Sequence, residues 1–211
     1  MSTPPTLGLV LAGGRAQRLG GGDKARIRVG QTTILERALA CLAPQCSHII
    51  LNANGDLSRF ADTRLPVVAD GTSNYNGPLA GILAGIDWAV DNAPELEWMV
   101  SAPSDCPFLP SDLIARLHRA RVDAGTPIAC ARSAQRQHPV VALWPVALRE
   151  DLRHALHIEG LRKVESWSAR HGVATATWPA TPVDPFFNVN TVEDVAEANR
   201  IAAQLQTSAT H

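Results

Sequence analysis

Apolar residues along this chain fall into two alternating rhythms. Short runs at Leu7–Leu11, His48–Leu51, Pro66–Ala69, Trp98–Val100, Ile128–Ala131, Val140–Trp144 and Val173–Thr177 are too short for core helices and predict buried strands. Between them, apolar positions recur every three or four residues. Ile34, Leu35, Ala38, Leu39 and Leu42 mark one helix, and Thr33 with Glu36 forms a capping box at its start. A second helix opens at Gly77-Pro78-Leu79-Ala80-Gly81 and carries Ile82, Leu83, Ile86, Trp88, Ala89 and Val90. Its proline sits in the first turn, where the missing N–H is harmless. Ser111 is the expected cap for a helix through Leu113, Ile114 and Leu117. Pro145 is expected to open a helix through Leu148 and Leu152, and Gly160 to Trp167 to hold another. Thr191 is expected to cap the last helix, with Asp194 at its third position. A polar link, Arg132 to His138, separates two of the strands.

Strands alternating with helices predict an α/β fold, a mainly parallel sheet covered on both faces. With no repeat and no linker, the expectation is one domain over residues 1–206, with 207–211 a frayed tail. Hydrophobic residues make up 45% and charged residues 18% of the 211, enough to bury a sizeable core. The net charge of −1 gives no global field toward nucleic acid or membrane, so any anion site must be local. No stretch approaches the roughly 20 apolar residues of a membrane span. Met1 to Pro5 lacks the features of a signal peptide, and a cytoplasmic location is expected. Cysteines at 41, 46, 106 and 130 form no C-x-x-C pair, which argues against a zinc site or a disulfide framework.

In such a sheet, ligands bind beyond the carboxyl ends of the strands. The residues expected there are Gly13, Gly14, Asn52, Asp70 and Asp105, with Asn188 and Asn190 near the last strand. The loop after the first strand is the richest part. Ala12-Gly13-Gly14 permits close backbone approach, and Arg15, Arg18 and Lys24 surround Gly20 to Gly22 with positive charge, as a polyphosphate requires. Asp105, between Pro103 and Pro107, is a candidate ligand for a hard divalent ion such as Mg²⁺; the competing role is a cap for the helix at Ser111. The loop is no P-loop, Gly-x-Gly-x-x-Gly is absent after the first strand, and nucleophilic catalysis has no candidate residue. His138 is either a site residue or an ordinary surface histidine.

Taken together, these segments resemble the nucleotidyltransferases built around Leu-Ala-Gly-Gly-x-x-x-Arg, and among them the molybdenum cofactor guanylyltransferase (MobA) family. The matching pieces are Leu11-Ala12-Gly13-Gly14 with Arg18, Gly21, Gly22, Asp23 and Lys24, then Asn52-Ala53-Asn54 and Gly77-Pro78-Leu79-Ala80-Gly81. Asp105-Cys106-Pro107, His138-Pro139 and Asn188-Val189-Asn190-Thr191 follow in the family's order. The resemblance implies a three-layer αβα Rossmann-like fold and guanylyl transfer from GTP to the terminal phosphate of molybdopterin, releasing pyrophosphate. By motif, Leu11, Ala12, Gly13, Lys24, Asn52, Asp70 and Asp105 would bind nucleotide, and Asp105 would hold Mg²⁺. Arg18, Gly21, Asn188 and Asn190 would serve the acceptor, with Arg18, Lys24 and Asp105 catalytic. Implied partners are the two substrates, with transient contacts to molybdopterin-handling proteins and recipient molybdoenzymes. Leu19 stands where much of the family has methionine, and residues 160–185 match nothing assignable. A cytidylyltransferase for the same pterin, another small-phosphate nucleotidyltransferase and a non-catalytic nucleotide-binding module are the alternatives.

Overall fold

The computed structural model describes residues 3–13, 24–71 and 77–208. Strand β1 (Thr6–Leu11) lies inside a seven-stranded sheet. Leu7 and Leu9 face one layer and Val10 the other, the period-two pattern of a strand covered on both sides. Residues Arg28–Val29 (β2) and Thr32–Thr33 (β3) form a separate small hairpin. The remaining strands are β4 (His48–Asn52), β5 (Val67–Val68), β6 (Trp98–Pro103), β7 (Ile128–Ser133), β8 (Arg136–Pro145) and β9 (Val173–Thr177). Their order across the sheet is β5-β4-β1-β6-β8-β7-β9, and β8 runs antiparallel to both its neighbours while the other pairs are parallel. The chain winds outward from β1 through β4 to β5, then returns to its other side at β6. That reversal leaves a crevice at the strands' carboxyl ends.

All seven expected strands of the main sheet are present. The β2–β3 hairpin is too short to show a periodicity, so the sequence carried no signal for it. Helices α1 (Ile34–Leu42) and α3 (Leu113–Ala124) cover one face, built on Leu35, Ala38, Leu113 and Leu117. The other face carries α2 (Pro78–Asn92), α4 (Arg149–His157) and α5 (Val164–Ser168), through Ile82, Ile86, Leu152 and Trp167. The last helix, α6 (Val192–Ser208), packs Ala198 and Ala202 on the small hairpin at Val29. Three layers result, as expected.

The capping boxes form as read. Thr33 Oγ1 accepts from Glu36 N at 3.1 Å while Glu36 Oε2 accepts from Thr33 N at 2.6 Å. Thr191 and Asp194 repeat the exchange at 3.1 and 2.9 Å. Three details differ from expectation. The residue preceding α3 is Asp112 rather than Ser111, and no side chain caps this helix. The Asp112 carboxylate instead accepts from Trp178 Nε1 at 2.8 Å. The polar link Arg132 to His138 is mostly strand, with only Ala134 and Gln135 in the turn, both at positive φ (45° and 63°). Its polarity marks the edge of a cleft and not a loop. The helix α6 continues through Thr207 and Ser208, where fraying was expected.

Candidate active site

Because β8 alone is reversed, its amino end reaches the edge where β1, β4, β5 and β6 end. These five strand ends border a cleft of ≈ 490 Å³. Its middle is a pair of opposite charges. Lys24 begins a short helical turn (Lys24–Arg26) anchored by the buried Ala25. Its Nζ lies 3.8 Å from Asp105 Oδ2 and donates to Asn190 Oδ1. Asp105 is fixed from both sides: Ser104 N donates to Leu11 O at 3.0 Å, and Val189 N to Asp105 O at 3.0 Å. Burial pushes the Asp105 carboxyl above its ordinary value, opposed by Lys24. A partly desolvated carboxylate with one ammonium at this distance favours a further cation. Asp105 therefore faces the cleft and caps no helix.

On one side of this pair stands a small amide–carboxylate network. Asn52 Nδ2 donates to Val68 O at 3.2 Å and to Asp70 Oδ1 at 2.9 Å. Asn54 Nδ2 donates to Asp70 Oδ2 at 2.7 Å, and Asp70 N donates to Asn54 Oδ1 at 2.9 Å. Asp70 is thus held with both oxygens oriented. Gly81 explains itself here: a Cβ on it would lie 2.4 Å from Asn52 Oδ1 and 2.6 Å from Leu11 Cδ2. The start of α2, Gly77-Pro78, also faces the cleft, and glycine has no side chain to cap the helix's free N–H groups. Leu11 and Gly13 line the same side. Ala12 lies beneath them, 1% exposed, with its N–H committed to Asn52 O at 2.8 Å.

The other side is built by Asn188 and by Arg136, Gln137, His138 and Pro139 of β8. Cys106 Sγ donates to Asn188 Oδ1 at 2.8 Å, which leaves the Asn188 amide hydrogens for the cleft. Burial drives the Cys106 thiol well above its ordinary value, with Asp105 and Asp184 adding to the effect, so it stays a neutral donor. Asn190 supports Lys24 and is no part of the cleft wall. Arg18 and Gly21 lie outside the described residues, as do Gly14, Arg15, Gly20 and Gly22.

His138 is half-buried and lines the cleft wall. Sequence reasoning missed Arg136 and Gln137, hidden in what looked like a link, and Asn54, which had been read only as motif. It also missed Ser133 and Asp184, which meet through a 2.7 Å hydrogen bond and carry no local signal.

Among the described residues, no group of three or more His, Cys, Asp or Glu side chains is placed to hold a metal. The donor set suits an ion held by the one carboxylate of Asp105 and by the oxygens of a bound phosphate, the usual mode for Mg²⁺. Among the described residues, a metal enclosed wholly by protein ligands does not fit.

Residues 8–175, from β1 to β9, match the family model of the MobA-like NTP transferase domain. The chain belongs to the MobA-like NTP transferase family. A Nitrobacter hamburgensis protein named molybdenum cofactor guanylyltransferase is 55% identical over 200 residues, covering 95% of this chain and 96% of that one. Among solved structures, an Archaeoglobus fulgidus molybdopterin-guanine dinucleotide biosynthesis protein A superposes with a TM-score of 0.73 at 21% identity, over 94% of this chain and 99% of that one. A Mycobacterium tuberculosis protein in complex with manganese superposes at 0.66 with 20% identity, over 93% and 98%. These two share the fold with the present MobA-like chain, whose mainly parallel three-layer architecture they repeat.

Proposed function

We propose that this MobA-like chain is a molybdenum cofactor guanylyltransferase, joining GMP from GTP to the terminal phosphate of molybdopterin and releasing pyrophosphate. The observation that carries this reading is the 55% identity, over nearly the full length of both chains, to the relative of that name. The two-sided cleft about Lys24 and Asp105 supports it, since a transfer between two phosphates needs both substrates to meet at one charged centre.

In the reaction, a terminal phosphate oxygen of molybdopterin bonds to the α-phosphorus of GTP. The bond from that phosphorus to the bridging oxygen breaks, and pyrophosphate leaves with the electron pair. The attacking oxygen is already anionic, so no general base is needed. Lys24 stabilises the charge that builds on the phosphates, and Asn190 aims it. Leu11, Gly13, Asn52 and Asp70 form the nucleotide side, where the acceptor-only Asp70 carboxylate favours N–H and O–H donors of the nucleoside. Ala12 shapes that floor from below. Asn188 donates on the acceptor side, which Arg18 and Gly21 complete in this reading. A divalent ion at Asp105, Mg²⁺ in this proposal, neutralises phosphate charge when bound.

Among the described residues no helix is long and apolar enough to cross a membrane. A cytoplasmic location and brief contacts with molybdopterin-handling proteins and recipient molybdoenzymes complete the proposal. The decisive measurement is pyrophosphate release with each of the four nucleoside triphosphates and Mg²⁺, with and without molybdopterin. Release with GTP that depends on molybdopterin is expected. Release with CTP instead would make the chain a cytidylyltransferase, and no release with any nucleotide would leave it a binding module.

A further inference from the structure

A chain of hydrogen bonds ends in the cleft at His138, and the transfer described above makes no use of it. Ser133, fully buried near the end of β7, donates its hydroxyl proton to Asp184 Oδ1 at 2.7 Å. The hydroxyl oxygen, Ser133 Oγ, also lies 2.8 Å from His138 Nε2. A hydroxyl has one proton and a carboxylate has none, so Ser133 must give its proton to Asp184 and must accept from His138. Nε2 therefore carries the proton, and Nδ1 of the neutral ring carries the lone pair.

The surroundings hold the ring in this state. Asp184 Oδ1 also accepts from Phe186 N at 2.9 Å, which fixes the carboxylate. The His138 ring packs on Phe186 with centroids 4.8 Å apart, and Phe186 is itself wedged against Trp178 at 5.3 Å. Burial lowers the affinity of His138 for a second proton, with Arg136 acting in the same direction and Asp184 against it. Among the described residues, His138 Nδ1 has no hydrogen-bond partner, and it is not enclosed without one either. It belongs to a side chain on the cleft wall, flanked by Pro139 and Val140.

We propose that Asp184 and Ser133 lock His138 as its Nε2–H tautomer, so that Nδ1 accepts a hydrogen bond from a ring N–H of the acceptor substrate. The proposal rests on the guanylyltransferase reading and extends it to the heterocyclic part of the second substrate. A phosphate is a poor match for this atom, because an oxyanion has no proton to donate to a lone pair. A planar, N–H-bearing ring such as a reduced pterin matches both the acceptor and the apolar flanks. The arrangement also ties Trp178 and Asp184, within the stretch 160–185 that matches nothing assignable, to the acceptor side of the cleft.

The test combines kinetics with ¹⁵N NMR of the histidine rings. His138→Leu should raise the KM for molybdopterin about tenfold, the effect of one lost hydrogen bond of about 1.4 kcal/mol, with the KM for GTP unchanged. His138→Asn, whose amide oxygen can occupy the place of Nδ1, should restore most of the loss. In the parent the His138 resonances should report a neutral ring protonated at Nε2, and Ser133→Ala or Asp184→Asn should convert it to a mixture of tautomers. An unchanged KM for molybdopterin, an equal rise in both KM values, or a parent ring protonated at Nδ1 would overturn the proposal. Failure of the parent to use molybdopterin at all would overturn the reaction instead, and the NMR result would show whether the lock itself exists.

Discussion

His118 and His138 each give a ring N–H to a hydroxyl whose own proton is committed elsewhere, yet they stand at opposite ends of the sheet and differ in one atom. At the amino end, Thr6 Oγ1 donates to Pro4 O at 2.8 Å and accepts from His118 Nε2 at 2.9 Å. The other ring nitrogen accepts from Arg121 Nε at 3.2 Å, and Arg121 lies 3.8 Å over the Trp98 ring. Every polar atom of His118 is used within the fold. At the carboxyl end His138 has the same hydroxyl arrangement and leaves Nδ1 for the cleft. Lys24, Asp105 and Asn188 follow the same rule, each steadied on one side and open on the other. One edge closes its hydrogen bonds and gains stability; the other keeps atoms open for ligands.

If that contrast is real, substitutions at the two edges should separate activity from stability. The largest effect belongs to Asp105→Asn. The change is near-isosteric and removes a carboxylate that burial disfavours, so the melting temperature should hold or rise. Turnover measured as pyrophosphate release with Mg²⁺ should fall on the order of 10³-fold, about 4 kcal/mol of lost transition-state stabilisation. A variant with the parent rate would remove Asp105 from the reaction.

Most of the fold and part of the open edge were legible in the sequence, and what was not has a physical reason. The seven apolar runs and two capping boxes are local signals, and each produced the expected element. Asn52, Asp70, Asp105 and Asn188 were found because strand ends define the crevice of an α/β sheet. The β8 edge escaped notice because a two-residue turn needs φ > 0 twice, and Ala134-Gln135 has neither of the residues that announce it. Ser133 and Asp184 are 51 residues apart and meet only in three dimensions. The closed chain at His118 is equally silent, since Thr6, His118 and Arg121 sit within ordinary strand and helix patterns.

The next effect is on stability and comes from the closed edge. Burial, with Arg121 adding to it, lowers the His118 pKa from 6.5 to about 4. Between these values the unfolded chain binds a proton at His118 that the folded chain refuses, so stability falls as pH drops through this window. At 1.36 kcal/mol per unit the loss reaches about 3 kcal/mol. His118→Gln lacks the titrating group. Urea unfolding at a series of pH values should therefore show the parent losing about 3 kcal/mol more than the variant, with the KM for GTP the same in both. Parallel pH profiles would mean that His118 already titrates freely in the fold.

The smallest effect tests whether the open edge carries a stability penalty that its ligands do not require. Ala134 and Gln135 both adopt left-handed backbone, at a cost of about 1–2 kcal/mol per residue for side chains that do not favour it. The site needs the pairing of Ser133 with Arg136 and of Ala131 with His138 that this turn sets, but neither turn residue lines the cleft. Replacing the pair by Asn-Gly keeps a two-residue turn and supplies residues suited to it. The unfolding free energy should rise by about 1 kcal/mol, seen as a higher urea midpoint with an unchanged slope, and the KM for both substrates should stay as in the parent. A gain in stability with a loss of molybdopterin affinity would mean that the strained turn itself positions His138. The open edge would then owe its geometry to strain as well as to its unfilled hydrogen bonds.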